Sequence, residues 1–311
     1  MQQTDITIVI PVYNEESNLE PLISRLYPVL GGTGMIFEVI FVNDGSSDNS
    51  MDILRRMTEE YPQVKAIEFN GNFGQHMAIL AAFEVSSGEM VITLDADLQN
   101  PPEEIPGIIA EMQKGHDVVG TVRQKRRDTL FRRIASRVVN MTTNRITGMQ
   151  MSDYGCMLRG YHRDIVDNIN RCGESATFIP ALAQTFASRP TEIIVGHEER
   201  AAGESKYSLY RLIRLNFDLM TGFSVLPLQL FALFGVMTSL LSLAFAALLF
   251  VRRFIVGAEV EGVFTLFAIL FFFVGIIILG IGIVGEYVGR IYQEVRKRPR
   301  YVIRRMYGFE E

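Results

Sequence analysis

The first 121 residues alternate short apolar runs with amphipathic stretches. "ITIVIP" from Ile6 reads as a strand and Ser17–Leu30 as a helix. "FEVIFVND" from Phe37 and "VKAIEF" from Val64 are strands, each followed by a helical pattern, over Met51–Tyr61 and Gly74–Val85. "MVITLDAD" from Met90 precedes a helix over Pro102–Lys114, and "DVVGT" from Asp117 is a last strand. The strand runs are continuously apolar, which suits strands buried on both faces. Alternation of this kind predicts a mostly parallel sheet covered by helices on both sides. No internal repeat or low-complexity segment interrupts it.

The pattern changes after residue 205. Val225–Val251 and Gly262–Gly285 contain no charged residue. Each is long enough to cross a hydrocarbon core of about 30 Å as a helix. The link "RRFIVGAEVE" closes them into a hairpin. Upstream, "ESKYSLYRLIRLNFDLMTGF" sets Arg211, Arg214 and Asp218 at helical spacing among leucines and aromatics, the pattern of a helix lying in the headgroup plane. Arg290, Arg296, Lys297, Arg298, Arg300, Arg304 and Arg305 follow the second span, against Arg252 and Arg253 in the link. That bias places the tail in the cytoplasm, and two crossings return the N-terminal domain to the same side. The expected division is a soluble domain over 1–205, an interfacial helix over 206–224, two membrane helices within 225–285 and a basic tail over 286–311.

Of the 311 residues, 48% are hydrophobic and 21% charged, and the net charge of −5 argues against nucleic acid as a partner. Cys156 and Cys172 form neither a metal-ligand spacing nor a disulfide framework, so a reducing compartment is expected. The opening "MQQTDITIVIP" has no basic n-region or signal h-region.

In open α/β sheets, ligands bind beyond the carboxyl ends of the strands. Here the first strand ends in "PVYNEE", the second in "NDGSSD" and the fourth in "DADLQ", so one edge is expected to collect Glu15, Asp44, Asp95 and Asp97. Carboxylates gathered in that number call for a positive charge. The four histidines make no close pair with another ligand type, and oxygen donors favour Mg²⁺ or Mn²⁺. If extended geometry continues past the strand, Asp95, Asp97 and Gln99 share a face. The alternative is that the two aspartates simply cap the following helix, for which Asn100 is the expected N-cap with prolines in the first turn. No GxxxxGK[ST] is present, and "GGTG" at Gly31 follows a helix and not a strand, so neither phosphate-loop pattern applies.

"PVYNEE", "NDGSSDNS" and "DADLQNPPEEIP" together resemble family 2 glycosyltransferases of the GT-A fold. Within them the chain looks like the polyprenyl-phosphate sugar transferases, relatives of the dolichyl-phosphate mannose synthases. "NFGQHMAI", "DVVGTVRQ", "DYGCMLR", "TFIPALA", "ERAAGESKYS" and "GEYVGRIYQEVRKRPRY" extend the likeness, over nearly the whole chain, to the undecaprenyl-phosphate 4-deoxy-4-formamido-L-arabinose transferases. The resemblance implies that Pro11, Tyr13 and Glu15 hold base and ribose, and that Asp44 contacts the uracil. It implies that Asp95, Asp97 and Gln99 lie at the metal and diphosphate, and that Asp153 stands where a catalytic base is often proposed. The family often has two acids in the second motif; here the first is Asn43. Processive polysaccharide synthases carry QxxRW, whereas this chain has no tryptophan, so a single transfer is expected.

The acceptor implied is undecaprenyl phosphate at the bacterial inner membrane, serving lipid A modification and resistance to cationic peptides. A homotetramer is implied as well. The candidate acceptor-phosphate residues are Arg123, Arg132, Arg133, Arg137, Arg200 and Lys206. Arg133 and Arg137 lie four apart in a helix-like stretch over Asp128–Met149, where a solvated face is the other reading. Arg200 and Lys206 flank the glycine of "RAAGESK", which is either a loop closing over phosphates or a surface connection. The alternatives are the same chemistry with glucose or mannose, and a non-catalytic membrane protein that binds nucleotide sugars.

Overall fold

The computed structural model describes residues 4–123, 156–172, 178–196, 226–256, 263–296 and 299–309. In chain order the elements are β1 (Ile6–Val12), α1 (Leu19–Gly31), β2 (Phe37–Asn43), α2 (Ser50–Glu60), β3 (Val64–Phe69), α3 (Gln75–Val85), β4 (Met90–Thr93) and α4 (Ile105–Gln113). They continue with β5 (Val118–Arg123), β6 (Arg159–His162), α5 (Arg163–Arg171), α6 (Ile179–Phe186), β7 (Pro190–Val195), α7 (Leu226–Val256), α8 (Val263–Val295) and β8 (Ile303–Tyr307). Strands and helices alternate in an α/β arrangement on a mostly parallel sheet.

Among the described residues eight strands form one sheet, in the order β7-β5-β6-β4-β1-β2-β3-β8. β1 pairs in parallel with β2 and β4, β2 with β3, and β5 with β7; β6 runs antiparallel between β4 and β5. The apolar runs form its middle, where Ile6, Ile8, Ile10, Val39, Phe41 and Ile92 are fully buried. α1 meets them with Leu19, Leu22, Ile23, Leu26 and Leu30, a helical stripe at three- and four-residue spacing.

Two local expectations are corrected. "MVITLDAD" is a strand only as far as Thr93, although the Leu94 amide still reaches the Val9 carbonyl at 2.9 Å. The chain then turns, and Leu98 adopts φ 60°, so extended geometry does not carry Asp95, Asp97 and Gln99 along one face. Nor does Asn100 cap the next helix. A short 3₁₀ turn over Pro102–Glu104 comes first, preceded by extended Pro101, and Asn100 is buried with its Oδ1 facing the Cys156 Sγ at 3.5 Å.

The chain forms two compact units, Met1–Tyr207 with Arg298–Glu311, and Ser208–Lys297. In the first, residues from the expected basic tail form β8, which adds antiparallel to β3. In the second, α7 and α8 have 31 and 33 residues. By length and composition one described stretch, Phe272–Gly289, suffices to cross a membrane, with mean hydropathy 2.1; α7 contributes a shorter apolar run, Leu228–Thr238.

Candidate active site

Four loops meet at the carboxyl ends of β1 to β4. The first two are stitched together by the polar residues of "NDGSSDNS". Ser46 Oγ accepts the Asn14 amide at 3.0 Å, Ser50 Oγ the Glu15 amide at 3.0 Å and Asp48 Oδ2 the Glu16 amide at 3.1 Å. In return Asn14 Oδ1 accepts the Ser47 amide at 2.8 Å, and Glu16 Oε2 accepts the Asn49 amide at 2.9 Å. Asn14 has φ 56°, a conformation asparagine tolerates better than most residues. Pro11 lies within β1, and Tyr13 just past its end is 50% exposed, so its ring is available to a flat ligand.

Asp44 follows β2 and is buried. Its carboxylate accepts the Phe73 amide at 2.6 Å and the Gly74 amide at 2.8 Å, both from the loop between β3 and α3. Burial raises its pKa above the usual aspartate value, and these two bonds only partly oppose that. The expected gathering of four acids is therefore divided: Asp44 is turned to the β3–α3 loop, whereas Asp95, Asp97 and Glu15 share one electrostatic neighbourhood.

That neighbourhood centres on Asp95. Burial and the Asp97 charge push its carboxyl up to about 7, with a smaller contribution from Glu15. Opposing them are a 2.6 Å hydrogen bond from Gln75 Nε2 and the charge of Arg123 at the end of β5. Asp97 Oδ1 accepts the Gln99 amide at 3.1 Å, closing the turn. Among the described residues no group of three or more His, Cys, Asp or Glu side chains is close enough to enclose a metal ion. The acidic pair nonetheless fits Mg²⁺ or Mn²⁺, which take one or two protein carboxylates and complete their shell with phosphate and water. A carboxyl group whose proton affinity is raised by burial and a neighbouring carboxylate is relieved by a divalent cation.

The structure thus places Pro11, Tyr13, Glu15, Asp44, Asp95, Asp97 and Gln99 along one edge, with Asp44 apart from the Asp95 neighbourhood, and sets Arg123, a candidate acceptor-phosphate residue, within electrostatic reach of Asp95. Asp153, Arg132, Arg133, Arg137, Arg200 and Lys206 lie outside the described residues. Gln75 had no role in the sequence reading. The signal available for it was its place in the first turn of α3, directly after a loop at the same sheet edge. Its neighbour His76 is held neutral, pushed down to about 4 by burial and then by the charge of Arg159.

A family model described as "Glycosyl transferase family 2" matches residues 7–169. The chain is 51% identical over 309 residues, 98% of its length and 94% of the relative's, to the undecaprenyl-phosphate 4-deoxy-4-formamido-L-arabinose transferase of Yersinia pestis (strain Pestoides F). The chain belongs to glycosyl transferase family 2. As a family member it is a glycosyltransferase. The equivalent transferase of Yersinia enterocolitica matches at the same identity and coverage. Among solved structures, glucosyl-3-phosphoglycerate synthase from Mycobacterium tuberculosis in complex with Mn²⁺ and UDP-glucose superposes with TM-score 0.50 at 16% identity, covering 71% of this chain and 77% of that one. At that identity the likeness concerns the fold.

Proposed function

We propose that this glycosyltransferase moves 4-deoxy-4-formamido-L-arabinose from UDP to undecaprenyl phosphate in a single, metal-dependent, inverting transfer. The observation that carries the reading is 51% identity to relatives of that name across 98% of the chain, apolar helices included. In this reading Pro11, Tyr13, Glu15 and Asp44 hold the nucleoside. Asp95 and Asp97, with Gln99, hold Mg²⁺ or Mn²⁺ against the diphosphate. When bound, the cation neutralises charge on the departing UDP.

The chain's own residues do the rest. Gln75 fixes the carboxylate of Asp95, and Arg123 sets a positive charge near it, available to phosphate oxygens. A lipid phosphate oxygen attacks the anomeric carbon as the bond from that carbon to the UDP oxygen breaks, and UDP leaves with the electron pair. Attack from the opposite face inverts the centre. With a second pKa of about 6, the lipid phosphate is already mostly dianionic at neutral pH. It needs positioning by Arg123, Arg132, Arg133, Arg137, Arg200 and Lys206 more than it needs a base. Asp153 accordingly orients groups more than it takes a proton.

The membrane reading has two supports. Only 6% of the Phe272–Gly289 window is buried within the protein, whereas the core helix of a soluble protein would be covered. Moreover β8, which follows α8, lies in the same sheet as β1 to β4. A chain that leaves and re-enters one sheet crosses a bilayer an even number of times, so a crossing by α8 requires a second one by α7. Both termini then lie on one side, the cytoplasmic side by the excess of Lys and Arg after α8. Lipid A modification follows as the role, and a homo-oligomer, a tetramer by family likeness, as the assembly.

A panel of labelled nucleotide sugars, offered to the purified chain with undecaprenyl phosphate, tests the reading. The UDP-formamidoarabinose donor should outpace UDP-glucose and GDP-mannose, and EDTA should abolish transfer. Asp97→Asn should lose nearly all turnover, whereas Asp153→Asn keeps a measurable part. Preference for glucose or mannose would refute the donor, and transfer unaffected by EDTA would refute the metal. If Asp153→Asn were as inactive as Asp97→Asn at every pH, Asp153 would be the base.

A further inference from the structure

The nucleotide edge is built from the first half of the chain, yet one of its loops is pinned by the last described residues. Just before β8, the Tyr301 ring lies flat on Phe69, with centroids 5.0 Å apart and planes at 12°. Phe69 is the last residue of β3, and its ring meets the Phe73 ring edge-on at 5.6 Å and 90°. The backbone is tied at the same place: the Asn70 amide donates to the Val302 carbonyl at 3.1 Å. The β3–β8 register shifts between Glu68 and Phe69, so regular pairing ends where the loop begins.

That loop grips the Asp44 turn. Besides the amides of Phe73 and Gly74 on the Asp44 carboxylate, Asn72 Nδ2 donates to the Asp44 carbonyl at 3.2 Å. Backbone also meets backbone, since a Cβ on Gly45 would stand 2.5 Å from the Gly71 carbonyl carbon. With contacts this close the loop cannot shift without moving Asp44 and Gly45. A continuous set of contacts therefore runs from Tyr301 through Phe69 and Phe73 to the carboxylate of Asp44.

We propose that Tyr301 is a positioning residue for nucleotide binding: by stacking on Phe69 it fixes the loop over 70–74, whose amides aim the carboxylate of Asp44. The proposal rests on the reading of Asp44 as a nucleotide contact. Flat aromatic packing contributes beyond the area it buries, and its loss should fall on ground-state binding of UDP because Tyr301 touches no reacting atom. It also ties donor affinity to a segment only a few residues beyond the long apolar helix that ends at Val295.

The test uses the full chain in detergent, with UDP affinity by calorimetry, donor KM and kcat by transfer assay, and amide exchange over residues 70–75. Tyr301→Ala should raise both UDP Kd and donor KM about five- to tenfold, leave kcat within about twofold and speed exchange at Phe73 and Gly74. Tyr301→Phe keeps the stack, losing only the hydroxyl's bond to Glu84 in α3, and should keep UDP Kd and donor KM within about twofold of the natural protein. Arg304→Ala removes the 3.2 Å ion pair between β8 and Glu68, beside Phe69 but outside the ring stack, and should leave UDP affinity unchanged. Where Tyr301→Ala fails to fold, Tyr301→Leu, apolar but without a flat ring, carries the same comparison. Asp44→Asn separates the two readings. If it binds UDP as tightly as the natural protein, the role of Asp44 falls and the proposal falls with it. If Asp44→Asn weakens UDP while Tyr301→Ala and Tyr301→Leu do not, the proposal alone is overturned. Weakening by Arg304→Ala equal to that by Tyr301→Ala would also overturn it, because strand pairing in general would then be responsible.

Discussion

Asp95 gives the proposed metal site a pH dependence that an ordinary aspartate would not have. The cation binds the carboxylate, so a proton on Asp95 competes with it. With its pKa pushed up to about 7, Asp95 retains its proton through mild acidity. Affinity for Mn²⁺ should be full above pH 7 and fall as the pH drops, by about tenfold per unit and about 100-fold at pH 5. An aspartate at its usual value would lose less than about a tenth of its affinity over the same range. The causes of the shift also predict the direction of two variants. Glu15→Gln removes a charge that raises Asp95, so its midpoint moves down. Gln75→Leu removes the hydrogen bond that lowers it, so its midpoint moves up. Free Mn²⁺ counted by electron paramagnetic resonance, without nucleotide, keeps the titration of UDP out of the measurement. Affinity that is flat from pH 5.5 to 8, or midpoints moving in the same direction in both variants, would refute the reasoning. The corresponding stability effect has the opposite trend. A raised carboxyl pKa supports the metal-free fold below about pH 4, and that support is lost as the pH rises through 7. The thermal midpoint without metal should fall across this window, and Mn²⁺ should restore it.

Two further predictions concern the scaffold. Gly45 has φ 68°, and an added Cβ would meet backbone atoms of Gly71 and Asn72 at 2.5–2.8 Å. Gly45→Ala combines left-handed strain with overpacking and should cost about 2–5 kcal/mol, read as a fall in Tm and loss of UDP binding. At the opposite end of the sheet, Glu38 is 4% exposed and accepts bonds from Thr7 Oγ1, Lys65 Nζ, the Ser87 amide and Ser87 Oγ at 2.7–2.8 Å. Burial pushes its carboxyl up, but these bonds together outweigh that and hold it below the usual value. Its contribution is therefore present above about pH 4.5 and lost on acidification. Glu38→Gln should cost about 2–3 kcal/mol at pH 7 and flatten the acid limb of a Tm-against-pH curve.

The sheet was legible because its strands are built on apolar runs, and a run such as Val39–Val42 has no favourable place except between two covered faces. Three features were not. The span between β5 and β6 holds no pattern that says β6 will return antiparallel between β4 and β5. "MVITLDAD" reads as one strand because apolar periodicity carries no information about a positive φ at Leu98. β8 reads as a basic tail because Arg304 and Arg305 dominate its composition, yet charge is what an edge strand carries to keep other chains from pairing with it.

The site shows how one motif can supply proposed ligand contacts and structural support at once. "NDGSSDNS" lies at the proposed ligand edge, as its position at a strand end suggests. Much of its polarity nevertheless serves the backbone: Ser46, Ser50 and Asp48 receive the amides of Asn14, Glu15 and Glu16, so the second motif holds the first in place. This division explains why serines and asparagines surround the acids. A loop that crosses a sheet edge without regular pairing leaves its amides unsatisfied, and short polar side chains satisfy them locally without filling the space a nucleotide needs. Gln75 escaped notice for the converse reason. Glutamine in a first helical turn is unremarkable in sequence, and only the packing of α3 on β1, the neighbour of β4 in the sheet, shows that its amide faces Asp95. A group whose partner lies twenty residues away becomes legible only once the strand order is known, and at this edge the strand order is what selects, from many polar residues, those able to act on one ligand.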